Sequence, residues 1–154
     1  MNKLFRGLVI GLAVFCMGGV MTTAQAQMDP APANPDLKPV LEDFGGEEGL
    51  TLLMDDFMTI MLNNDQLRPF FANANQERVK RHLVEQFCVI LGGDCKYTGR
   101  NMLDSHAQME IDRADFNALV EDLQTAMNRH DIPFRSQNKL IAELAPMHRE
   151  IITQ

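Results

Sequence analysis

Positive charge is scarce in this chain, which has 14 lysines and arginines against 21 aspartates and glutamates in 154 residues, a net charge of −7. A surface with that bias repels phosphodiesters and anionic headgroups, which argues against nucleic acid or an acidic membrane as partner. Sustained alternation of polar and apolar residues is missing as well, so no stretch reads as a half-buried strand. The one long apolar run, Leu8 to Val20, is too short and too interrupted by glycine to span a bilayer. Internal repeats are absent, and low complexity is confined to a proline-rich stretch near residue 30.

The apolar run has a different meaning once its flanks are read. Lys3 and Arg6 precede it and Ala24-Gln25-Ala26 follows, the charged start and small-residue cleavage site of a secretory signal peptide. Residues 1–26 are therefore expected to be removed after Ala26, which places the mature protein in the periplasm with no stable membrane insertion. Cys16 follows Phe15, and a lipid-anchoring site wants a small residue there. Without Lys3 and Arg6 the mature chain carries twelve basic residues against 21 acidic ones, net −9. Pro30, Pro32, Pro35 and Pro39 make 27–40 read as an exposed linker, because proline removes backbone donors and disfavours helix. Residues 41–154 then form one domain with one core.

Within that domain apolar residues recur at helical spacing, which predicts an all-α fold. Leu50, Leu53, Phe57 and Ile60 or Met61 share a stripe that begins after Gly45-Gly46 and ends near Asn63-Asn64-Asp65. Val79, Leu83, Phe87 and Ile90 mark a second helix from about Gln76 to Leu91, closed by Gly92-Gly93. Asp112, with Asp115 three residues on, caps a third that carries Phe116, Leu119, Val120, Leu123 and Met127. The last starts between Pro133 and Ser136, carries Leu140, Ile141, Leu144, Met147 and Ile151, and is expected to kink at Pro146. A plain helical bundle serving as an interaction module would show the same stripes.

Cys88 and Cys95 are the only cysteines beyond the signal segment. An even count in an exported domain points to a disulfide. A continuous helix would hold their Cα atoms about 10 Å apart, beyond a disulfide's reach of about 7 Å, but Gly92-Gly93 allows the chain to reverse between them. A zinc site built from both cysteines and a histidine is the alternative, at a spacing that matches no common zinc motif.

Several words stand in a telling order: Phe44-Gly45-Gly46, Asp56-Phe57, Asp65-Gln66-Leu67, Pro69-Phe70-Phe71, Gly92-Gly93, Tyr97-Thr98-Gly99-Arg100, and Met102 with His106 four residues later. Together they resemble the group I truncated haemoglobins over about Leu41 to Ile152. The resemblance implies a two-over-two helical sandwich around haem b (iron protoporphyrin IX), with His106 as the proximal iron ligand, Phe71 packed on the porphyrin and Met102 in contact with it one turn before the ligand. A Cys-x-x-Cys-His motif for thioether-linked haem is absent.

The distal side departs from the oxygen-avid members. Met58 stands where many relatives place a hydrogen-bonding tyrosine, and Val79 and Leu83 occupy positions that often hold glutamines. Each missing bond to a charged acceptor removes about 1.5–3 kcal/mol of oxygen stabilisation. His82 is the polar residue left there; cyanobacterial relatives use a matching histidine as an internal sixth ligand, while a solvated helix face beside Lys80 and Arg81 is the plainer alternative. Those cations are candidates to pair with haem propionates. His148, in Ala145-Pro146-Met147-His148, matches a histidine that in some relatives bonds covalently to the haem; packing without a bond is the other reading. The expected function is a haem protein that binds oxygen, nitric oxide or carbon monoxide, with a redox role served by a reductase or electron partner. A nitric oxide dioxygenase or peroxidase-like enzyme is the alternative, which the apolar distal face disfavours because catalysis needs placed donors.

Overall fold

The structure is a computed structural model, and it describes residues 27–154. The expected signal peptide, 1–26, lies outside the described residues. Every regular element among the described residues is helical: α1 (Lys38–Asp43), α2 (Gly46–Asn63), α3 (Arg68–Phe71), α4 (Gln76–Ile90), α5 (Met102–His106), α6 (Arg113–Arg129), α7 (Phe134–Leu144) and α8 (His148–Ile151), with 3-10 turns at Pro35–Leu37 and Ala145–Met147.

The helix ends are where side-chain chemistry predicts them. The Asn75 side chain caps α4 by accepting from the Arg78 N–H at 3.0 Å, and Asp112 and Asp115 form a reciprocal capping box at the start of α6. α2 is the central element and packs against both α4 and α6. Its Leu50, Leu53, Met54, Phe57 and Met61 are fully buried and meet Ile90, Leu91, Met127 and Leu140 from the later helices. With α6 and α7 packed together, this gives the expected helical sandwich.

Two expectations need correction. The proline-rich stretch is not a free linker up to Val40: Pro35 opens a 3-10 turn and Pro39 sits in the first turn of α1. Proline is tolerated there because its missing N–H has no helical partner anyway. Leu37 and Val40 are only 7% and 3% exposed and belong to the core. The last helix does not kink at Pro146 but breaks, since α7 ends at Leu144 and helix resumes as α8 after the 3-10 turn. A proline inside the ladder removes one bond and crowds the carbonyl four residues back.

Gly92 shows why the reversal after α4 needs glycine. Its φ is +74°, and a Cβ there would lie 2.8 Å from the Asn34 carbonyl oxygen and 2.9 Å from the Pro35 Cα. The reversal brings Cys88 and Cys95 to a Cα separation of 5.9 Å, closed as a disulfide. Replacing both cysteines by serine is expected to lower unfolding free energy by about 2–3 kcal/mol, the value for so short a loop; equilibrium urea unfolding of haem-loaded protein checks it, and an unchanged midpoint contradicts it.

Candidate functional site

Between α4, α5, α6 and α7 the helices do not close. They leave a cavity of about 780 Å³, within the size range of cofactor pockets. Its walls are apolar side chains from every long helix, among them Phe57, Phe71, Leu83, Phe116, Leu119 and Ile141. Several of these, including Phe71, Leu83, Phe116 and Leu119, are only half-buried, so a flat apolar group placed there would complete their burial.

His106 lines this cavity, and its ring is oriented by its own short helix. Asn101 caps α5 by accepting from the Asp104 N–H at 2.7 Å. The His106 ring then folds back, and its Nδ1–H donates to the Met102 carbonyl oxygen at 2.8 Å. A carbonyl only accepts, so Nδ1 carries the proton and Nε2 keeps its lone pair, the tautomer a metal needs. Burial pushes the His106 pKa below the ordinary histidine value and Arg100 acts in the same direction, while the Met102 bond opposes them. The ring is therefore held neutral near pH 7.

The opposite wall belongs to α4 and α2. Val79, His82 and Leu83 line the cavity from α4, but the α2 residues there are Phe57 and Met61. Met58 is buried in the core, 4% exposed, and is not part of the cavity wall. Phe57 and Met61, four residues apart, share the α2 face turned to the cavity, whereas Met58, about 100° round the helix from Phe57, packs into the core. The polar atoms on this side are committed elsewhere. His82 Nε2 lies 3.2 Å from Arg81 Nη2, and the buried Gln86 amide donates to the Pro30 carbonyl at 2.6 Å.

The cations also differ from expectation. Lys80 turns away from the cavity and pairs with Asp55 and Glu77, each at 2.7 Å, and Arg81 lies 3.7 Å from Glu85. Arg78 and Arg100 line the cavity instead, and neither has a carboxylate partner within salt-bridge distance among the described residues. Arg78 was legible in principle, one turn before His82 on the same face. His148 is off the cavity wall: its Nδ1–H donates to the Ala145 carbonyl at 2.8 Å, and its ring rests 6.2 Å from that of Phe116. Phe71, Val79, Leu83, Met102, His82 and His106 are thus brought together, whereas Met58, Lys80 and His148 are not.

The segment before His106 is pinned to α4 twice. Besides the disulfide, Glu85 accepts from the Thr98 N–H at 2.8 Å and the Thr98 hydroxyl at 2.7 Å. Burial alone would raise the Glu85 pKa, but the two Thr98 donors, with His82 and Arg81, hold it below the usual value. Tyr97 in the same segment lines the cavity, and its phenol donates to the Arg100 carbonyl at 2.8 Å.

A two-over-two helical sandwich with one upright neutral imidazole, an apolar slot and free guanidinium groups at its edge is the architecture of a globin. The chain belongs to the bacterial-like globin family, whose model matches residues 39–153, and within it to the group I truncated haemoglobins. It is 30% identical over 114 residues to the group 1 truncated hemoglobin GlbN of Mycolicibacterium paratuberculosis, covering 74% of this chain and 84% of the relative. The corresponding protein of Synechocystis is 28% identical over 123 residues, 73% of this chain and 96% of the relative. The fold is also that of truncated hemoglobin from Tetrahymena pyriformis in its Fe(III) form, with a TM-score of 0.71 at 20% identity, covering 75% of this chain and 98% of that one.

The residues present fit haem: His106 Nε2 would hold the iron, the apolar walls the porphyrin, and Arg78 and Arg100 its carboxylates. Iron supplies the ligand-binding chemistry when bound. Substituting His106→Ala is expected to yield protein that loses haem on gel filtration or retains it only with added imidazole; an unaltered ferrous spectrum would rule His106 out as the ligand.

Proposed function

We propose that this is a periplasmic haem b protein that binds oxygen or another diatomic ligand at an iron held by His106, with His82 as an internal distal ligand and electrons exchanged with a separate reductase. The observation that carries the reading is the His106 tautomer: a neutral ring, its Nδ1–H fixed on the Met102 carbonyl, in the wall of an apolar cavity. Export is supported by the N-terminal pattern of Lys3, Arg6, the apolar run and Ala24-Gln25-Ala26, and by the disulfide, which an oxidising compartment preserves.

The distal wall argues against tight oxygen storage. Phe57, Val79 and Leu83 donate nothing, and the Gln86 amide is spent on Pro30. The same poverty of donors disfavours the dioxygenase or peroxidase alternative, which needs groups aimed at developing charge. His82 is the distal group with a free electron pair to offer. To reach iron its ring must leave Arg81, since Nε2 cannot serve a guanidinium and a metal together. The protein would then exchange between a closed form, in which the His82 imidazole would hold the iron, and an open form that admits gas. External affinity falls by the fraction that is open.

In His82→Leu the ferrous spectrum is expected to change from six-coordinate low-spin to five-coordinate high-spin, and carbon monoxide to bind faster, by tenfold or more if the open form is about a tenth of the population. Stopped-flow mixing measures this. A five-coordinate spectrum in the unmutated protein near neutral pH would leave His82 on Arg81 and remove the internal ligand from the proposal.

A further inference from the structure

Outside the cavity, one side-chain oxygen among the described residues is buried with no hydrogen-bond partner, Oε2 of Glu150. Its sister Oε1 is occupied and accepts the backbone N–H of Met28 at 2.7 Å. A carboxylate half-satisfied in this way lacks a donor on one side.

The surrounding chain shows where that donor comes from. From Met28 onward the N-terminal segment is docked on the domain at short intervals. The Pro30 carbonyl accepts from Gln86, Ala31 is buried, the Asn34 N–H donates to the Ile90 carbonyl at 3.3 Å, and the Asn34 side chain donates to Glu143 at 2.9 Å. Gln27, the first residue of the expected mature chain, therefore stands one residue from a segment already docked on the fold. We propose that Glu150 receives the α-ammonium group created at Gln27 when the leader is removed, a site that exists only in the processed chain. The proposal rests on the export reading above.

The chemistry balances simply. Water hydrolyses the Ala26–Gln27 peptide bond, the carboxyl leaves with Ala26, and the amine remaining on Gln27 takes up a proton. Before cleavage position 27 offers a neutral amide with one donor. After cleavage it offers three donors and a positive charge, one residue from the N–H that Oε1 already holds. Nearby charges do not compete: among the described residues His148 and Arg149 on α8, and His106 on α5, which packs against it, form no ion pair with Glu150, and Asp104 on α5 accepts from the Asn101 amide at 2.7 Å. The closed contact would anchor the strap that carries Pro30, the acceptor for Gln86 in the cavity wall, so leader removal would complete the wall of the site.

The test uses haem-loaded chain released from a tag so that it begins at Gln27, compared with the same chain carrying an acetylated Gly-Ser extension, each with Glu150 and with E150Q. The Gln27 chain is expected to melt several degrees above the extended one, and E150Q to erase that difference. The α-amino group, followed by NMR, is expected to titrate above the ordinary range of about 7.7–8.0 only with Glu150 present. The contact then holds at neutral pH and is lost as pH rises through the raised value. If E150Q fails to fold, the amine titration in the unmutated Gln27 chain decides alone. An amine in the ordinary range, or an extension penalty equal in both backgrounds, overturns the ion pair. The export reading is read out separately by mass analysis of periplasmic protein from full-length expression: a chain beginning elsewhere overturns the processing step, and loss of ammonia to a Gln27 lactam overturns the charged contact.

Discussion

A domain of this size that keeps a cavity of about 780 Å³ between its helices gives up much of the burial that would otherwise hold it together. Apolar surface contributes about 25 cal/mol per Å² only once water has left it, and the half-buried faces of Phe71, Leu83, Phe116 and Leu119 realise that stabilisation only when something flat fills the slot. Folding and cofactor binding are consequently linked, because a ligand that binds only the folded state stabilises it by mass action. The hollow centre also explains where the chain concentrates its other restraints. The Cys88–Cys95 bridge and the Glu85 carboxylate on Thr98 tie the distal helix to the segment that leads into His106, fixing the cavity edge that no core packing can fix.

The placing of His106 depends on the same economy. α5 is only five residues long, too short to be stable by itself, yet it must present one ring at a defined angle. Local hydrogen bonds do this where packing cannot. Asn101 caps the first turn, Tyr97 and Met102 use backbone carbonyls within the segment, and Gln108 and Glu110 turn the chain away with positive φ. Because the Met102 carbonyl selects the tautomer and burial disfavours the imidazolium, geometry and proton placement arise from one contact. A polar partner at the other nitrogen would have undone both.

The helix stripes and their caps were legible because periodicity and side-chain capping are local properties, and so were His106, Phe71, Val79 and Leu83, each carried by a recognisable word or stripe. What escaped the sequence was rotational and pairwise. Phe57 rather than Met58 faces the cavity, a 100° distinction between neighbours in an apolar pair that no local pattern resolves. Lys80 and Arg78 differ only in which acids α2 and α4 place near them, and Asp55 lies 25 residues from Lys80, so the assignment needed tertiary structure. The proline-rich segment misled for a related reason. Pro35 and Pro39 disfavour helix interiors but suit helix starts, and only the burial of Leu37 and Val40 shows that they begin helices here.

In the proposed function two demands meet on one nitrogen of His82. Its Nε2 faces the Arg81 guanidinium at 3.2 Å, and its ring stands edge-on to Tyr97 at 6.2 Å. Arg81 in turn lies 3.7 Å from Glu85, which is held by Thr98. Under the proposed internal ligation, moving the His82 ring inward would leave Arg81 to Glu85 alone, a pair at 3.7 Å whose arginine is exposed, so the contact that holds the ring outward is a weak one. Stronger pairing would hold the ring outward, against the proposed ligation. An apolar wall with one loosely tethered imidazole is what the proposed exchange requires, and the tether is attached to the very segment that the disulfide and Glu85 hold in place.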